Sequence, residues 1–339
     1  MSFKLVAIIT ILAASMFGQA SKSTYTPPKT PWGDPDLQGN WPAAYNIPLQ
    51  RPASLGDRAT LTDDELAKKQ QQNANQVKAR EEFNAKSVGI GPPSNWGERA
   101  LESKQASMVV DPPNGRVPPL TPQAQAIVKG LRNGAGPAQH FPEKVDSWED
   151  FDMYSRCITR GFPSTMLPTL YNYGNDIIQS PGYVAIRSEM VHETRVIPLD
   201  KRAHVNSAIA TYMGDARGHW EGNTLVVETT NLKPESGYGG GRYTKETKVV
   251  ERFTRTAPDQ LSYDVTLTDP NVWTQSWTVH YPFKMDPNYK VYEYACHEGN
   301  YMMHDALSGA RQLEKEGKDT RVIRGEAGGP LPRGLQPVE

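Results

Sequence analysis

The chain has 339 residues, and its 37 Lys and Arg against 38 Asp and Glu give a formal net charge of −1. It has no basic block of the kind that binds nucleic acid and no basic amphipathic helix of the kind that lies on a membrane surface. Hydrophobic residues make up 37% of the sequence, which is low for a fully compact domain. Hydrophobic residues are scarcest before residue 150. We therefore expect one domain, preceded by a long polar N-terminal segment that wraps around it.

The first 20 residues have the organisation of a secretory signal peptide. Lys4 provides a positive charge, residues 5–17 are apolar, and Gly18 and Ala20 place small residues at a cleavage site. A membrane anchor is the alternative, but about 13 apolar residues fall short of the ~20 that cross a bilayer. We expect cleavage after Ala20, a periplasmic or secreted protein, and no membrane contact after cleavage.

Residues 21–150 are rich in Pro and predict an extended N-terminal wrap that carries two helices. Thr62 and Glu65 have the spacing of a capping box, which predicts a solvated helix over 62–86. Thr121 followed by Pro predicts the start of a second helix, which ends near Gly134. The residues between the two helices contain several Pro-Pro pairs and predict a loop.

Residues 176–300 have the pattern of one antiparallel β-meander. Gly222 and Asn223 tolerate the positive φ of a tight hairpin turn, and further turns built on Pro, Asp and Asn separate the later runs. The apolar and β-branched runs predict strands at 177–189 (with a turn at 181–182), 190–199, 224–230, 245–255, 261–268, 273–283 and 289–296. A short helix at 303–315 follows the last strand.

The predicted fold class is mainly β, an antiparallel meander forming a barrel-like (calycin-like) sheet, with a Pro-rich N-terminal wrap and a few short helices. The interior of such a barrel is a natural ligand site. The predicted segments are a signal peptide at 1–20, an N-terminal extension at 21–150, a β-meander or barrel domain at 151–315 and a polar tail at 316–339.

Three motifs resemble those of a family of exported bacterial proteins common in soil organisms. They are WGDPDLQG at 32–39, GDARGHWEG at 214–222 and ACHEGNY at 295–301. The resemblance covers nearly the whole mature chain; that family has no assigned activity, so it implies an organisation and no reaction. Gly39-x-Trp41 is also similar to the Gly-x-Trp of lipocalins and other calycins, which implies a Trp that plugs one end of a barrel.

The two cysteines, Cys157 and Cys296, bracket the meander. In an oxidising compartment an even pair of this kind predicts a disulfide. The bond would tie the segment that enters the sheet to the last predicted strand. The alternative is a nucleophilic thiol beside His297, which exposure to oxidants outside the cell disfavours.

Two groups of ionisable residues in the meander are candidate catalytic positions. Alternation places Glu189 and Arg195 on one face of their strand, either in water or as a paired acid and base in a polar lumen. A predicted tight loop at 214–219 carries Arg217 and His219, either as a site at the barrel rim or as a turn held by its own Asp–Arg bond.

The densest chemical cluster follows the last predicted strand, at His297 and Glu298. It can be a general acid–base pair, a metal site completed by His304, or a structural turn between strand and helix. The spacing matches no zinc-binding pattern, so we expect no metal ion and no cofactor.

The leading functional prediction is a barrel protein that binds a small aromatic or apolar molecule. Seven Trp and 15 Tyr provide stacking surface, and the predicted ligand contacts are Tyr183, Arg217, Trp220 and Trp273. The alternative is a hydrolase, isomerase or lyase whose acid–base site at the barrel mouth uses Glu189, Arg195, His219, His297 and Glu298. A third class is a cell-envelope interaction protein without a pocket.

Overall fold

The computed structural model describes residues 25–86, 101–131, 145–169 and 171–318. The predicted signal peptide and residues 319–339 of the predicted tail lie outside these ranges. The described part is mainly β, with three α helices and two antiparallel sheets of four or more strands. No helix within the described ranges has the length and apolar character that a bilayer span requires.

Most strands lie in the second half of the chain, as the sequence predicts. The helices are α1 (Asp63–Lys86), α2 (Pro122–Lys129) and α3 (Met302–Lys315). The strands are β1 (Gly39–Asn40), β2 (Tyr45–Asn46), β3 (Leu101–Glu102), β4 (Val109–Asp111), β5 (Asn175–Ser180), β6 (Tyr183–Ser188), β7 (Thr194–Pro198), β8 (Asp215–Glu221), β9 (Thr224–Thr230), β10 (Lys248–Ala257), β11 (Gln260–Thr268) and β12 (Trp277–Lys284).

Side-chain caps explain where the two N-terminal helices begin. Thr62 and Glu65 form the predicted capping box, in which the Glu65 N–H donates to Thr62 Oγ1 at 3.2 Å and the Thr62 N–H donates to Glu65 Oε2 at 2.9 Å. The Thr121 side chain caps α2 as predicted. That helix stops at Lys129, earlier than the predicted end near Gly134, with Gly130, a poor helix former, as its C-cap.

Six strands form the larger sheet, in the antiparallel order β4-β12-β11-β10-β9-β8. The predicted turn at Gly222 is present, with φ of 59°. Alternate residues of β11 and β12 point into the core and are buried: Leu261, Tyr263, Val265, Leu267, Trp277, Val279, Tyr281 and Phe283. This alternation with a period of two is the signal that the sequence carries for both strands.

Four strands form the second sheet, in the order β1-β5-β6-β7. The prediction of one continuous meander is therefore wrong, because the chain changes sheet between β7 and β8. The predicted strand at 190–199 also begins with a turn, in which Val191 and His192 have φ of 61° and 44°. After this turn Arg195 lies opposite Ile186 and is buried with it in the core.

The two sheets share one hydrophobic core, to which Val184 and Phe253 contribute from opposite sides. β7 lies against β8 at Gly218, where an added Cβ would come within 2.7 Å of Leu199 and 2.9 Å of Ile197. Only glycine permits this approach. No ladder of hydrogen bonds joins β7 to β8, so the two larger sheets pack together without closing a barrel within the described ranges, and β2 and β3 form a separate two-stranded parallel sheet.

Trp41 connects the two sheets. The side chain is fully buried, and its indole N–H donates to the Leu37 carbonyl at 2.9 Å. Its backbone N–H donates to the Asn175 carbonyl at 2.7 Å, which extends the pairing of β1 with β5. The guanidinium of Arg255, near the end of β10, lies 5.6 Å from the indole ring centroid and completes a cation–π contact.

Two local predictions within the meander are wrong. Residues 214–219 do not form a tight loop, because 215–221 is β8, which pairs with β9 from Asp215–Thr230 to Glu221–Thr224. Residues 289–296 form no strand and belong instead to an irregular segment at 286–301, here called the pocket segment. A strand after β12 finds no free edge beside it, since β11 and β4 already pair with its two edges.

Candidate functional site

A cavity of about 1140 Å³ lies beside the pocket segment. Its other wall comes from residues 154–157 and 171–172, which precede β5 in the chain. Tyrosines are the commonest side chains of the lining: Tyr154, Tyr171, Tyr289, Tyr292 and Tyr294. Such a wall offers flat aromatic faces together with hydroxyl groups that can form hydrogen bonds.

The Cys157–Cys296 disulfide fixes the pocket segment to the opposite wall. The two sulfurs are 2.07 Å apart, the Cα atoms are 5.7 Å apart, and 139 residues separate the cysteines in sequence. The predicted pairing is confirmed, and the alternative of a free thiol is wrong. Both half-cystines line the cavity. The bond also fits a protein that resides outside the cytoplasm.

Glu189 provides the second attachment of the pocket segment. Its carboxylate is 2% exposed and accepts hydrogen bonds from the Tyr289 hydroxyl at 2.7 Å and the Tyr292 N–H at 2.9 Å. The Asn172 side chain and the Gly174 N–H donate to it from the other wall, at 2.8 and 3.2 Å. These four donors satisfy a buried carboxylate that would otherwise be costly. Glu189 therefore positions two lining tyrosines.

Three tyrosine hydroxyls converge at the cavity wall. The Tyr154 oxygen lies 3.3 Å from that of Tyr171 and 3.1 Å from that of Tyr294, and the last two are 3.4 Å apart. The rings of Tyr171 and Tyr294 stack with centroids 6.3 Å apart. Burial raises the pKa of Tyr154 to about 12 and also raises the pKa of Tyr294. The hydroxyls of Tyr154 and Tyr294 therefore stay protonated at neutral pH.

Arg195 is buried between the sheets and pairs with Glu251 of β10, not with Glu189. Both guanidinium–carboxylate hydrogen bonds are 2.8 Å long, and the Tyr263 hydroxyl donates to the same carboxylate at 2.9 Å. Burial lowers the pKa of Arg195, but the charge and hydrogen bonds of Glu251 outweigh it and raise the pKa overall. The guanidinium also lies 4.4 Å from the Phe162 ring centroid. This pair fastens the two sheets together and leaves no free acid or base.

Arg160 and Glu193 were not chosen from the sequence as site residues. The backbone N–H of Arg160 donates to Glu193 Oε2 at 3.2 Å. Burial raises the pKa of Glu193, and neighbouring hydroxyls together with the charge of Arg160 offset this only in part. Burial likewise lowers the pKa of Arg160. Arg160 lies three residues after Cys157, and its position beside a half-cystine is the one sequence signal that could have marked it.

The predicted rim residues Arg217 and His219 lie on the outer face of β8. Arg217 pairs with Asp215 at 2.6 Å and donates to the Ala203 carbonyl, while His219 is exposed and lies 3.2 Å from Glu221. The predicted Asp–Arg bond is therefore present, although on a strand. Neither residue is part of the cavity lining.

The predicted aromatic contacts are also dispersed. Trp273 is 1% exposed and packs edge-on against Trp277 in the core. Trp220 is half-buried against the same core, and Tyr183 is exposed on the outer face of the smaller sheet, where its hydroxyl accepts from Arg202 at 3.1 Å. None of the three predicted aromatic residues lines the cavity.

Among the predicted acid–base residues, Glu298 lines the cavity, and His297 beside it is exposed. Glu189 contacts two lining tyrosines, as described above, whereas Arg195 and His219 lie elsewhere. The structure thus places Glu189 and Glu298 at or beside the cavity and separates Arg195 and His219 from it. No group of three or more potential metal ligands occurs in the part of the chain that the structure describes.

No protein-family model and no curated protein matches this chain. The likeness of its motifs to exported soil-bacterial proteins therefore stays a prediction. The tyrosine wall, the disulfide behind it and the nearby buried charges are the features that point to a function.

Proposed function

We propose that this chain is an exported protein, periplasmic or secreted, that binds a small aromatic molecule in the tyrosine-lined cavity. The observation that carries the proposal is the lining itself, in which five tyrosines surround about 1140 Å³. A cavity of this size accepts a ligand of one to three rings. The converging hydroxyls of Tyr154, Tyr171 and Tyr294 add hydrogen bonds that fix its orientation.

The architecture supports a barrel-like enclosure of the kind found in calycins, with β1 and β4 of the N-terminal extension forming part of its wall. β1 from that extension joins the smaller sheet and β4 joins the larger one. β7 approaches β8 closely at Gly218, and Trp41 packs under Arg255. On this proposal the chain shares its organisation with the exported soil-bacterial proteins whose motifs it resembles.

An acid–base enzyme has less support from the geometry. Arg195 is held by two hydrogen bonds to Glu251, and the Glu189 carboxylate accepts from four donors, so neither side chain is free to act on a substrate. The imidazole of His219 lies on the outer face of β8. A general acid or base must reach its substrate within hydrogen-bond distance. Binding is therefore the function that the site supports best.

The test compares 2-naphthol with its saturated counterpart decahydro-2-naphthol by isothermal titration calorimetry. Stacking on tyrosine requires an aromatic ring, so only 2-naphthol should bind well. Tyr292 lines the cavity and is 67% exposed, so Tyr292→Ala removes a contact without opening the core. We expect it to weaken the binding of 2-naphthol by about tenfold.

The matched control is Tyr183→Ala, which removes an exposed tyrosine from the outer face of the smaller sheet. It should leave the affinity unchanged. Equal binding of the aromatic and saturated alcohols would contradict a stacking site. An equal loss of affinity in the two variants would place the ligand away from the pocket segment.

A further inference from the structure

The tyrosines of the cavity share its wall with carboxylates. Asp286, Glu293 and Glu298 line the cavity, and among the described residues Lys290 is the only base that does so. Glu293 and Glu298 are exposed, and neither side chain forms a hydrogen bond or an ion pair with any residue that the structure describes. Both carboxylates are therefore available to a ligand, and a concave wall of this charge attracts cations.

A buried carboxylate directly behind the wall adds negative charge. Glu189 accepts from the Tyr289 hydroxyl at 2.7 Å and from the Asn172 side chain at 2.8 Å, and both of these residues line the cavity. Its four donors are all uncharged, so this carboxylate has no counterion in the described part of the chain. Charges inside a protein are screened less than charges in water, so Glu189 acts on a ligand across this thin wall.

Two cations near the cavity do not reverse this balance. Lys290 is exposed and offsets one of the three lining carboxylates. Arg160 is not part of the lining, and Glu193, whose Oε2 lies 3.2 Å from the backbone nitrogen of Arg160, places the opposite charge beside it. The lining together with Glu189 therefore keeps an excess of carboxylates, which favours a cationic ligand over an anionic one.

The tyrosine rings are suited to the same ligand. The face of a phenol ring carries partial negative charge and attracts a cation that lies within about 6 Å of its centroid. Tyr292 is 67% exposed, and the stacked rings of Tyr171 and Tyr294 lie at the same cavity. Phenol oxygens also accept hydrogen bonds from an ammonium group. One wall thus offers stacking to a ring and attraction to a positive charge.

We propose that the cavity takes small aromatic cations, in which an ammonium group is joined to the ring system by a short alkyl link. This inference rests on the proposed binding function and names its ligand class. The rings of the ligand would stack on tyrosine, and its ammonium group would meet the carboxylates of Glu293 and Glu298. An ammonium group has three N–H donors, and hydrogen bonds between it and a carboxylate are strengthened by charge.

The experiment measures the binding of 2-naphthylmethylammonium, 2-naphthylmethanol and 2-naphthoate by calorimetry at neutral pH. The first two compounds have nearly the same shape and differ in charge. The wild-type protein should bind the ammonium compound at least about tenfold more tightly than the alcohol, and naphthoate most weakly. Because the preference is electrostatic, raising the NaCl concentration from about 0.02 M to about 0.5 M should reduce it.

Two double variants locate the charge that causes the preference. Glu293→Gln with Glu298→Gln removes two lining carboxylates and should weaken the binding of the ammonium compound by about tenfold, with little change for the alcohol. The matched control, Glu82→Gln with Glu246→Gln, removes the same net charge from exposed positions outside the lining and should keep the preference.

Each outcome decides between the two proposals. Equal binding of the ammonium compound and the alcohol to the wild-type protein overturns the cation assignment but leaves aromatic binding intact. Tightest binding of naphthoate overturns it as well, and so does an equal loss of preference in the two double variants. If none of the three compounds and no 2-naphthol binds, the binding function itself is wrong. The wild-type comparison stands even if a variant fails to fold, which circular dichroism would report.

Discussion

The larger sheet and the pocket segment are held in place by different means. In the sheet, β8 to β12 follow one another in the chain, and each pairs with its neighbour through a continuous antiparallel ladder. The pocket segment at 286–301 has no regular structure, and side chains that are distant in sequence hold it. These attachments are one disulfide, the carboxylate of Glu189 and the hydroxyls of Tyr154 and Tyr294.

This difference implies that the larger sheet chiefly determines stability and that the pocket segment chiefly determines the shape of the cavity. A ladder distributes its free energy over many backbone hydrogen bonds and alternating buried side chains, so the sheet is a rigid frame. The pocket segment depends on a few contacts, and it forms one wall of the cavity. Binding regions are commonly built on such locally less stable segments, carried by a rigid scaffold. Damage to the sheet should therefore unfold the protein, and damage to the pocket segment should chiefly alter the cavity.

The largest effect is expected inside the frame. Glu251→Ala leaves Arg195 buried without its carboxylate and the Tyr263 hydroxyl without its acceptor. Breaking a buried pair on one side costs about 3–5 kcal/mol of unfolding free energy. Urea unfolding followed by circular dichroism measures the loss. Because the pair joins both sheets, the whole transition should shift as one.

The control for this prediction is Glu228→Ala on the neighbouring strand β9, whose side chain is 37% exposed and pairs with Lys248. A surface pair of this kind contributes about 0–1 kcal/mol. The double variant Arg195→Met with Glu251→Leu removes both charges and should recover most of the stability. A small loss for Glu251→Ala would show that the pair does not fasten the sheets.

A smaller effect is expected from removal of the disulfide by the double substitution Cys157→Ala and Cys296→Ala. Loss of a native disulfide typically costs about 2–4 kcal/mol. The sheets should persist, and the pocket segment would keep its non-covalent contacts, among them those with Glu189, the tyrosine hydroxyls and the His192 ring. We expect hydrogen exchange to accelerate most in residues 286–301 and the affinity for 2-naphthol to fall.

The double substitution Cys157→Ser with Cys296→Ser provides a comparison in which side-chain size changes less. Exchange in β10 and β11 is the internal reference, because these strands pair along their whole length. If exchange in 286–301 follows that reference, the contacts that remain without the disulfide are enough to position the wall. The contrast between frame and segment would then be wrong.

Much of the frame could be predicted from the sequence because its signals are local. The turn at Gly222, the alternation in β11 and β12 and the Thr62–Glu65 capping box are each specified by residues that are close together in the sequence. The division into two sheets could not be predicted in this way. It depends on a turn at 190–192 and on the close approach of β7 to Gly218. In the sequence, the glycine at this position favoured the prediction of a loop.

The site could be predicted only where its chemistry restricts the choices. Two cysteines in a chain that the sequence predicts to be exported allow one disulfide, so the Cys157–Cys296 bond could be predicted. The remaining contacts join distant residues with no local pattern, since 100 residues separate Glu189 from Tyr289 and 140 separate Tyr154 from Tyr294. Acids and bases concentrated in the meander pointed to β8 instead, where Arg217 faces outward.

The smallest expected effect concerns the cost in unfolding free energy of ionising the buried carboxyl of Glu193. Burial raises the pKa of Glu193 above its ordinary value of 4.5, even with Arg160 beside it. The folded state therefore holds this proton more tightly than the unfolded state, so the stabilisation is present below about pH 4.5 and is lost as pH rises through the raised pKa. Glu193→Gln should flatten the fall in unfolding free energy between acidic and neutral pH, measured by urea unfolding. Glu82→Gln on exposed α1 is the control and should follow the wild-type curve; a Glu193→Gln curve that also follows it would show that this carboxyl carries no such penalty.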